Sequence, residues 1–274
     1  MMLRRLSIAL FIVAIVVAST PAAAQNAPGT RDLERINWME FKELVPAKVS
    51  TVLLPLGSLE AHGVTANGTD IMTPVAMARD IAARVNAMVA PAIPYGITAS
   101  LGAYPGGLTM PDDVYRGYVR AVLAGLARNK FKNIILLNGH GGNSAALNAV
   151  AAEVATETGV RTLVVNWWTY CSDVTLEVFG EDGGHAGDNE NAYMMAIDPS
   201  LTHPERYKQE LALPNPPSGA WTAFPHPSSI MLYKEGQGYP KFDAAKAKVY
   251  FQKVNDKIAK LVLDVVKRWD ASGL

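Results

Sequence analysis

The chain has one cysteine, Cys171, in 274 residues, which excludes an intrachain disulfide. No partner for a catalytic thiol can be assigned to it, so it reads as a small, partly buried apolar residue. A net charge is also lacking: 25 basic side chains meet 25 acidic ones. That balance gives no electrostatic case for binding nucleic acid or an anionic membrane. No internal repeat, low-complexity tract or second composition regime divides the sequence, so one domain is the economical reading.

A long apolar run is missing too. Ile8 to Ala18 is apolar but falls short of the ~20 residues a membrane-spanning helix needs. It lies between a basic start, Arg4 and Arg5, and a small-residue stretch from Pro21 to Ala24. This is the layout of a secretory signal peptide over residues 1–25, cleaved near Ala24 or Gln25. An uncleaved anchor and a twin-arginine route remain alternatives. The expectation is an exported, periplasmic or secreted protein, with no stable membrane insertion after cleavage.

The chain as a whole is 49% hydrophobic, enough for a sizeable core. Residues 26–35 read as a tether and 36–274 as the domain. Within it, a helix is predicted over Ile36 to Val45, a strand over Ser50 to Leu56 and a helix over Pro74 to Asn86. Then come a strand over Met88 to Ile93 and a helix over Asp112 to Asn129, opened by acidic residues. The last predicted elements are a strand over Asn133 to Leu137, a helix from Asn143 to Thr158, a strand over Arg161 to Asn166, and a closing helix from Asp243 to Trp269. Runs such as IILL and TLVV are apolar without alternation, as strands covered on both faces should be. The fold class is α/β: a three-layer α/β/α sandwich with a mostly parallel sheet. Pro199 to Pro240, rich in Pro, Gly and aromatics, reads as an irregular lid or oligomer contact.

In such sheets ligands sit beyond the carboxyl ends of the strands. The segment after the first strand reads GSLEAHGVTANGTD and holds Glu60, His62 and Asp70. Two carboxylates and an imidazole suit a hard or borderline divalent cation. In an extended segment Glu60 and His62, two apart, would point the same way, and Asp70 could return to bridge two ions. A solvated turn is the alternative for this loop taken alone. The segment after the third strand reads NGHGGN, with glycines around His140 that allow close backbone approach and Asn143 placed to cap a helix. A third segment, GGHAGDNENAYMMA, brings His185, Asp188 and Glu190. Asp188 could simply complement a helix N-terminus.

Taken together, GSLEAHG, NGTD, NGHGGN and HAGDNENA, in this order, resemble the creatininase family of metal-dependent amidohydrolases over about Trp38 to Ile197. The resemblance implies a two-metal site, with zinc or manganese, in which Glu60 and His140 hold one ion, His62 the other, and Asp70 bridges. Glu190 is the remaining ligand, and His185 acts in proton transfer. Trp168, with Trp167 as the lesser candidate, and Asn143 are the substrate-binding candidates. The implied reaction is hydrolysis of a C–N bond in a small, cyclic or formamide-type amide by a hydroxide generated on the metal. The resemblance also implies a homo-oligomer, commonly a hexamer, to which Trp221, Phe224 and Tyr239 could contribute. Thr65 stands where the family carries a second histidine, and Gly142 and Gly184 stand where creatininase has acids. Gly142 and Gly184 point away from creatinine itself, and the altered first loop with Gly184 supports a rival reading as an exported binding protein without catalysis.

Overall fold

A computed structural model describes residues 29–181, 183–214, 221–228, 232–233 and 240–274. The expected signal peptide and Tyr239 lie outside the described residues. In chain order the elements are α1 (Trp38–Leu44), β1 (Thr51–Leu56), α2 (Thr69–Ile81), β2 (Ala87–Val89), α3 (Asp112–Arg128), β3 (Asn133–Asn138) and α4 (Ser144–Thr158). They continue with β4 (Arg161–Asn166), α5 (Trp167–Tyr170), α6 (Ser172–Phe179), α7 (Asp188–Ile197), β5 (Leu213–Pro214), β6 (Leu232–Tyr233) and α8 (Ala244–Ala271).

The main sheet has the order β2-β1-β3-β4, and every pairing is parallel. β1 and β3 are buried at every position, which their unbroken apolar runs require. Val52, Leu54, Ile134 and Leu136 pack into a core on one face with α3 and α4. Leu53, Ile135 and Leu137 face the opposite core, built by α2, α6, α7 and α8. The period-two alternation thus feeds two apolar layers, and the three-layer α/β/α sandwich follows.

Local chemistry explains the ends of these elements. Pro55 sits inside a central strand because β2 has already ended beside it: its carbonyl accepts from Ile93 N–H at 3.0 Å, so its missing donor lies on that side, beyond the last β2 pair. β2 is shorter than predicted, since Pro91 interrupts the run and Ile93 rejoins only through an isolated bridge to Leu56. α3 buries Tyr115, Val119 and Leu123, four residues apart on one stripe. Asp243 caps α8 by accepting from Ala245 and Lys246 N–H at 2.9 and 3.0 Å.

Two differences bear on the site. α2 begins at Thr69, five residues before the predicted start, so Asp70 belongs to a helix and not to a loop. Pro74 lies within that helix; a proline there only removes one hydrogen bond near its start. The short helices α5 and α6 follow β4 directly, where no helix was predicted. Among the described residues, no helix is long and apolar enough to cross a membrane.

Candidate metal centre

Three of the chain's five histidines and three carboxylates converge at the carboxyl ends of β1 and β3. Glu60 and His62 follow β1, and His140 follows β3 by two residues. Asp70 and Glu190 lie in the first turns of α2 and α7, where free backbone N–H groups favour negative charge. His185 comes from the turn that leads into α7. The structure therefore brings together all five candidate ligands and His185, all of them buried except His185, which is partly so.

Asp70 stands between two clusters. Its Oδ2 lies 2.8 Å from His140 Nδ1, which is itself 3.3 Å from Glu60 Oε1. Its Oδ1 lies 2.9 Å from His62 Nε2, which is 3.6 Å from Glu190 Oε2. Two three-residue sets, Glu60/Asp70/His140 and His62/Asp70/Glu190, thus share one carboxylate. A shared carboxylate with one oxygen per set is the arrangement that would bridge two cations.

The second nitrogen of each imidazole faces a main-chain carbonyl. His62 Nδ1 lies 3.1 Å from Glu60 O, His140 Nε2 2.9 Å from Ile97 O, and His185 Nε2 2.7 Å from Ala61 O. A carbonyl only accepts, so each of these nitrogens carries the ring's N–H and the other nitrogen turns a lone pair into the cluster. Carboxylate oxygens and lone pairs facing one another need a second proton or a metal cation between them. Glu60 Oε2, His62 Nε2 and Asp70 Oδ2 are buried without a hydrogen-bond partner, and a divalent cation would satisfy all three. The residues therefore fit a pair of divalent ions.

Without a cation the cluster holds protons. Burial opposes charge on His62, but Asp70, with Glu190 and Glu60 behind it, raises its pKa to about 10. His140 is likewise raised well above the ordinary histidine value, burial being overcome by Asp70 and Glu60. Asp70 is held well below the ordinary carboxylate range, because its two histidines outweigh its burial. Burial lifts Glu190 to about 7. His185 goes the other way, lowered to about 4 by burial and by the neighbouring His62, so it is neutral at pH 7.

The centre opens into a cavity of about 650 Å³. Trp168 is on its wall, whereas Trp167 is buried in the core against Tyr193. Asn143 requires a correction. It makes neither the helix cap nor the substrate contact expected of it: it is fully buried, its Oδ1 accepts from Ile97 N–H at 3.0 Å and its Nδ2 donates to Gly57 O at 3.1 Å. It ties the chain after β1 to the loop whose Ile97 carbonyl orients His140, which makes it a positioning residue. Asp188 opens α7 and accepts from Lys241 N–H at 2.9 Å, anchoring the entry to α8.

Other contributors had no signal in the sequence reading. Ala186 adopts a left-handed φ of 54°, its N–H donating to Glu190 Oε2 at 2.7 Å and its carbonyl accepting from Asn191 Nδ2 at 2.7 Å. The polar run Asp188-Asn189-Glu190-Asn191 at the start of an apolar helix is the feature that could have drawn attention to them.

A family model described as creatininase, creatinine amidohydrolase, matches residues 34–262. The chain belongs to the creatininase family. Creatinine amidohydrolase of Pseudomonas putida is 26% identical over 190 residues, covering 62% of this chain and 73% of that protein. A 3-dehydro-scyllo-inosose hydrolase of Thermotoga maritima is 28% identical over 257 residues, 81% of this chain and 80% of that protein. A mycofactocin precursor peptide peptidase of Mycobacterium ulcerans is 26% identical over 186 residues, 62% of this chain and 67% of that protein. Among solved structures, a creatinine amidohydrolase superposes with a TM-score of 0.76 at 22% identity, covering 86% of this chain and 97% of that one. A manganese form of creatininase gives 0.72 at 22% identity, covering 86% and 98%.

Membership of the creatininase family makes the chain a hydrolase of the amidohydrolase class, and the geometry bears on two of its departures from the family pattern. A side chain at Gly142 would run into Ile97 O and the His140 ring, so the loop that orients His140 occupies the room an acid would need. Thr65, in place of the second histidine, instead hydrogen-bonds to Asn191 Oδ1.

Proposed function

We propose that this chain is an exported amidohydrolase with two divalent ions, zinc or manganese, that cleaves a C–N bond in a small amide. The observation that carries the reading is Asp70, with one oxygen facing each of two histidine-carboxylate sets. Glu60 and His140 would hold one ion, and His62 and Glu190 the other. When bound, such ions lower the pKa of water and polarise a carbonyl.

The protein's own residues supply the rest. His185 is neutral, with Nε2–H turned to Ala61 O and Nδ1 free on the side of Glu60, 3.5 Å from its Oε1. It would take the proton from the attacking water and return it to the departing nitrogen. Water and amide thus become a carboxylic acid and an amine. The three relatives are named for a creatinine, an inosose and a peptide precursor, so the scaffold supports several substrates. A cyclic amide or a formamide is the substrate class proposed.

The test is release of amine or ammonia from a panel of small amides by the metal-loaded protein. Turnover that stops with chelator supports the reading. Ligand-dependent melting without turnover would favour the rival, a binding protein that keeps the metal site; Thr65 and Gly184 are its support.

Residues 1–25 have the charge and hydropathy pattern of a signal peptide, and a mature N-terminus near Gln25 in the exported fraction would establish export. The exposed Trp221 and Phe224 support a homo-oligomer, which light scattering would size.

A further inference from the structure

Six residues of the candidate centre form the floor of the cavity or stand beside it, and the rest of the wall is uncharged among the described residues. Among the described residues the wall beyond the centre is made by Trp168, Leu101, Thr169, Ser172, Asn189 and glycines. Its described residues offer no lysine or arginine to a carboxylate and no spare acid to a cation. Moving an unpaired charge off water is costly, whereas a hydroxyl or carbonyl needs only a hydrogen-bond partner.

Asn189 supplies such a partner in a fixed orientation. It is 3% exposed, and Gly184 N–H donates to its side chain at 2.9 Å, which identifies the contacting atom as Oδ1. Its amide lies flat over Gly183, where a Cβ would collide with it. Nδ2 meets no acceptor among the described residues and is left for the occupant of the cavity. Thr169 and Ser172 add hydroxyls at the exposed mouth.

We infer that this wall is a neutral recognition subsite, headed by the Asn189 amide, that selects substrates whose distal part is uncharged and carries a hydrogen-bond acceptor. The inference rests on the hydrolase reading above and specifies its substrate class. Neutral, hydroxyl- or carbonyl-bearing amides are accepted; amides with a distal carboxylate, ammonium or guanidinium are rejected. The cavity, at about 650 Å³, has room for such a distal part beside the amide.

The experiment uses the full mature chain loaded with zinc and three hydroxamates that share one metal-binding head. Their tails are a neutral polyol, a carboxylate and an ammonium, and affinities are read by titration calorimetry. The neutral tail is expected to bind about tenfold or more tightly than either charged tail. Asn189→Asp keeps the acceptor for Gly184 N–H and replaces only Nδ2, so it should shift the preference towards the ammonium tail at unchanged zinc content. Equal affinity for the three tails, or no binding by any of them, overturns the subsite, and the unmodified chain alone decides this if the variant does not fold. Turnover of matching amides reads the hydrolase proposal separately. Charge-selective binding without turnover would sink hydrolysis and leave the subsite standing; turnover without charge selection would do the reverse.

Discussion

Pro74 removes the one hydrogen-bond donor that the Asp70 carbonyl would meet within α2, and into the space beside that carbonyl come Gly57 and Gly139. A Cβ at either glycine would collide with Asp70 O. The ends of β1 and β3 thereby press against the first turn of the helix that carries the bridging carboxylate. Gly139→Ala should therefore cost about 1–3 kcal/mol in chemical denaturation, as overpacking does. It should also lower metal content, because Asp70 must move. Full stability together with full metal loading would show that the approach is looser than this.

Asp70→Asn tests the bridge itself. Metal content per chain, about two in the unmodified protein, should fall for both ions, since the amide cannot present an anionic oxygen to each histidine set. Elemental analysis after dialysis reads the result. Loading equal to that of the unmodified chain would eliminate the two-metal arrangement.

Asn143→Ala should separate the two sets. It strips Ile97 N–H and Gly57 O of their partner, costing about 2–4 kcal/mol for two groups left unpaired. It also loosens the Ile97 carbonyl that orients His140. The ion at Glu60 and His140 should weaken by about 10–100-fold, the cost of losing an outer-shell partner. The ion at His62 and Glu190 should hold. Equal weakening at both positions would make Asn143 a general structural tie.

His185→Ala should keep metal content and melting temperature while lowering turnover by about 10² or more, if the imidazole moves the proton. Loss of metal in this variant would instead make His185 a ligand, since Glu60, His62 and His185 also lie close enough to share an ion.

The sequence exposed those features that leave a pattern along the chain. β1, β3 and β4 were legible as apolar runs because both faces of the sheet are covered, and α3 because its apolar stripe repeats every four residues. Glu60, His62, Asp70, His140, His185 and Glu190 emerged from motifs in order; spacing alone could not show that Asp70 and Glu190, on separate helices, face the same histidine. α5 and α6 escaped because aromatic and β-branched residues dominate their short spans. The role of Asn143 escaped because an asparagine before a helix reads as a cap, and the Ile97 carbonyl because a backbone atom has no side-chain signature.

Metal loading should also release protons, with a sign fixed by the cluster. His62, raised to about 10, is protonated in the metal-free chain at pH 8, and His140 is raised well above the ordinary value by Asp70 and Glu60. An ion can take Nε2 of His62 or Nδ1 of His140 only after the second ring proton leaves. Binding at pH 8 should therefore release about one proton from His62 and a further share from His140, and apparent affinity should rise with pH until His62 titrates near 10. Below pH 7, Glu190, lifted to about 7 by burial, is protonated as well, and the count should rise further. Calorimetry in buffers of different ionisation enthalpy measures this number directly. A binding heat independent of buffer would mean that the histidines are neutral before the metal arrives, and that the three carboxylates do not hold charge on them.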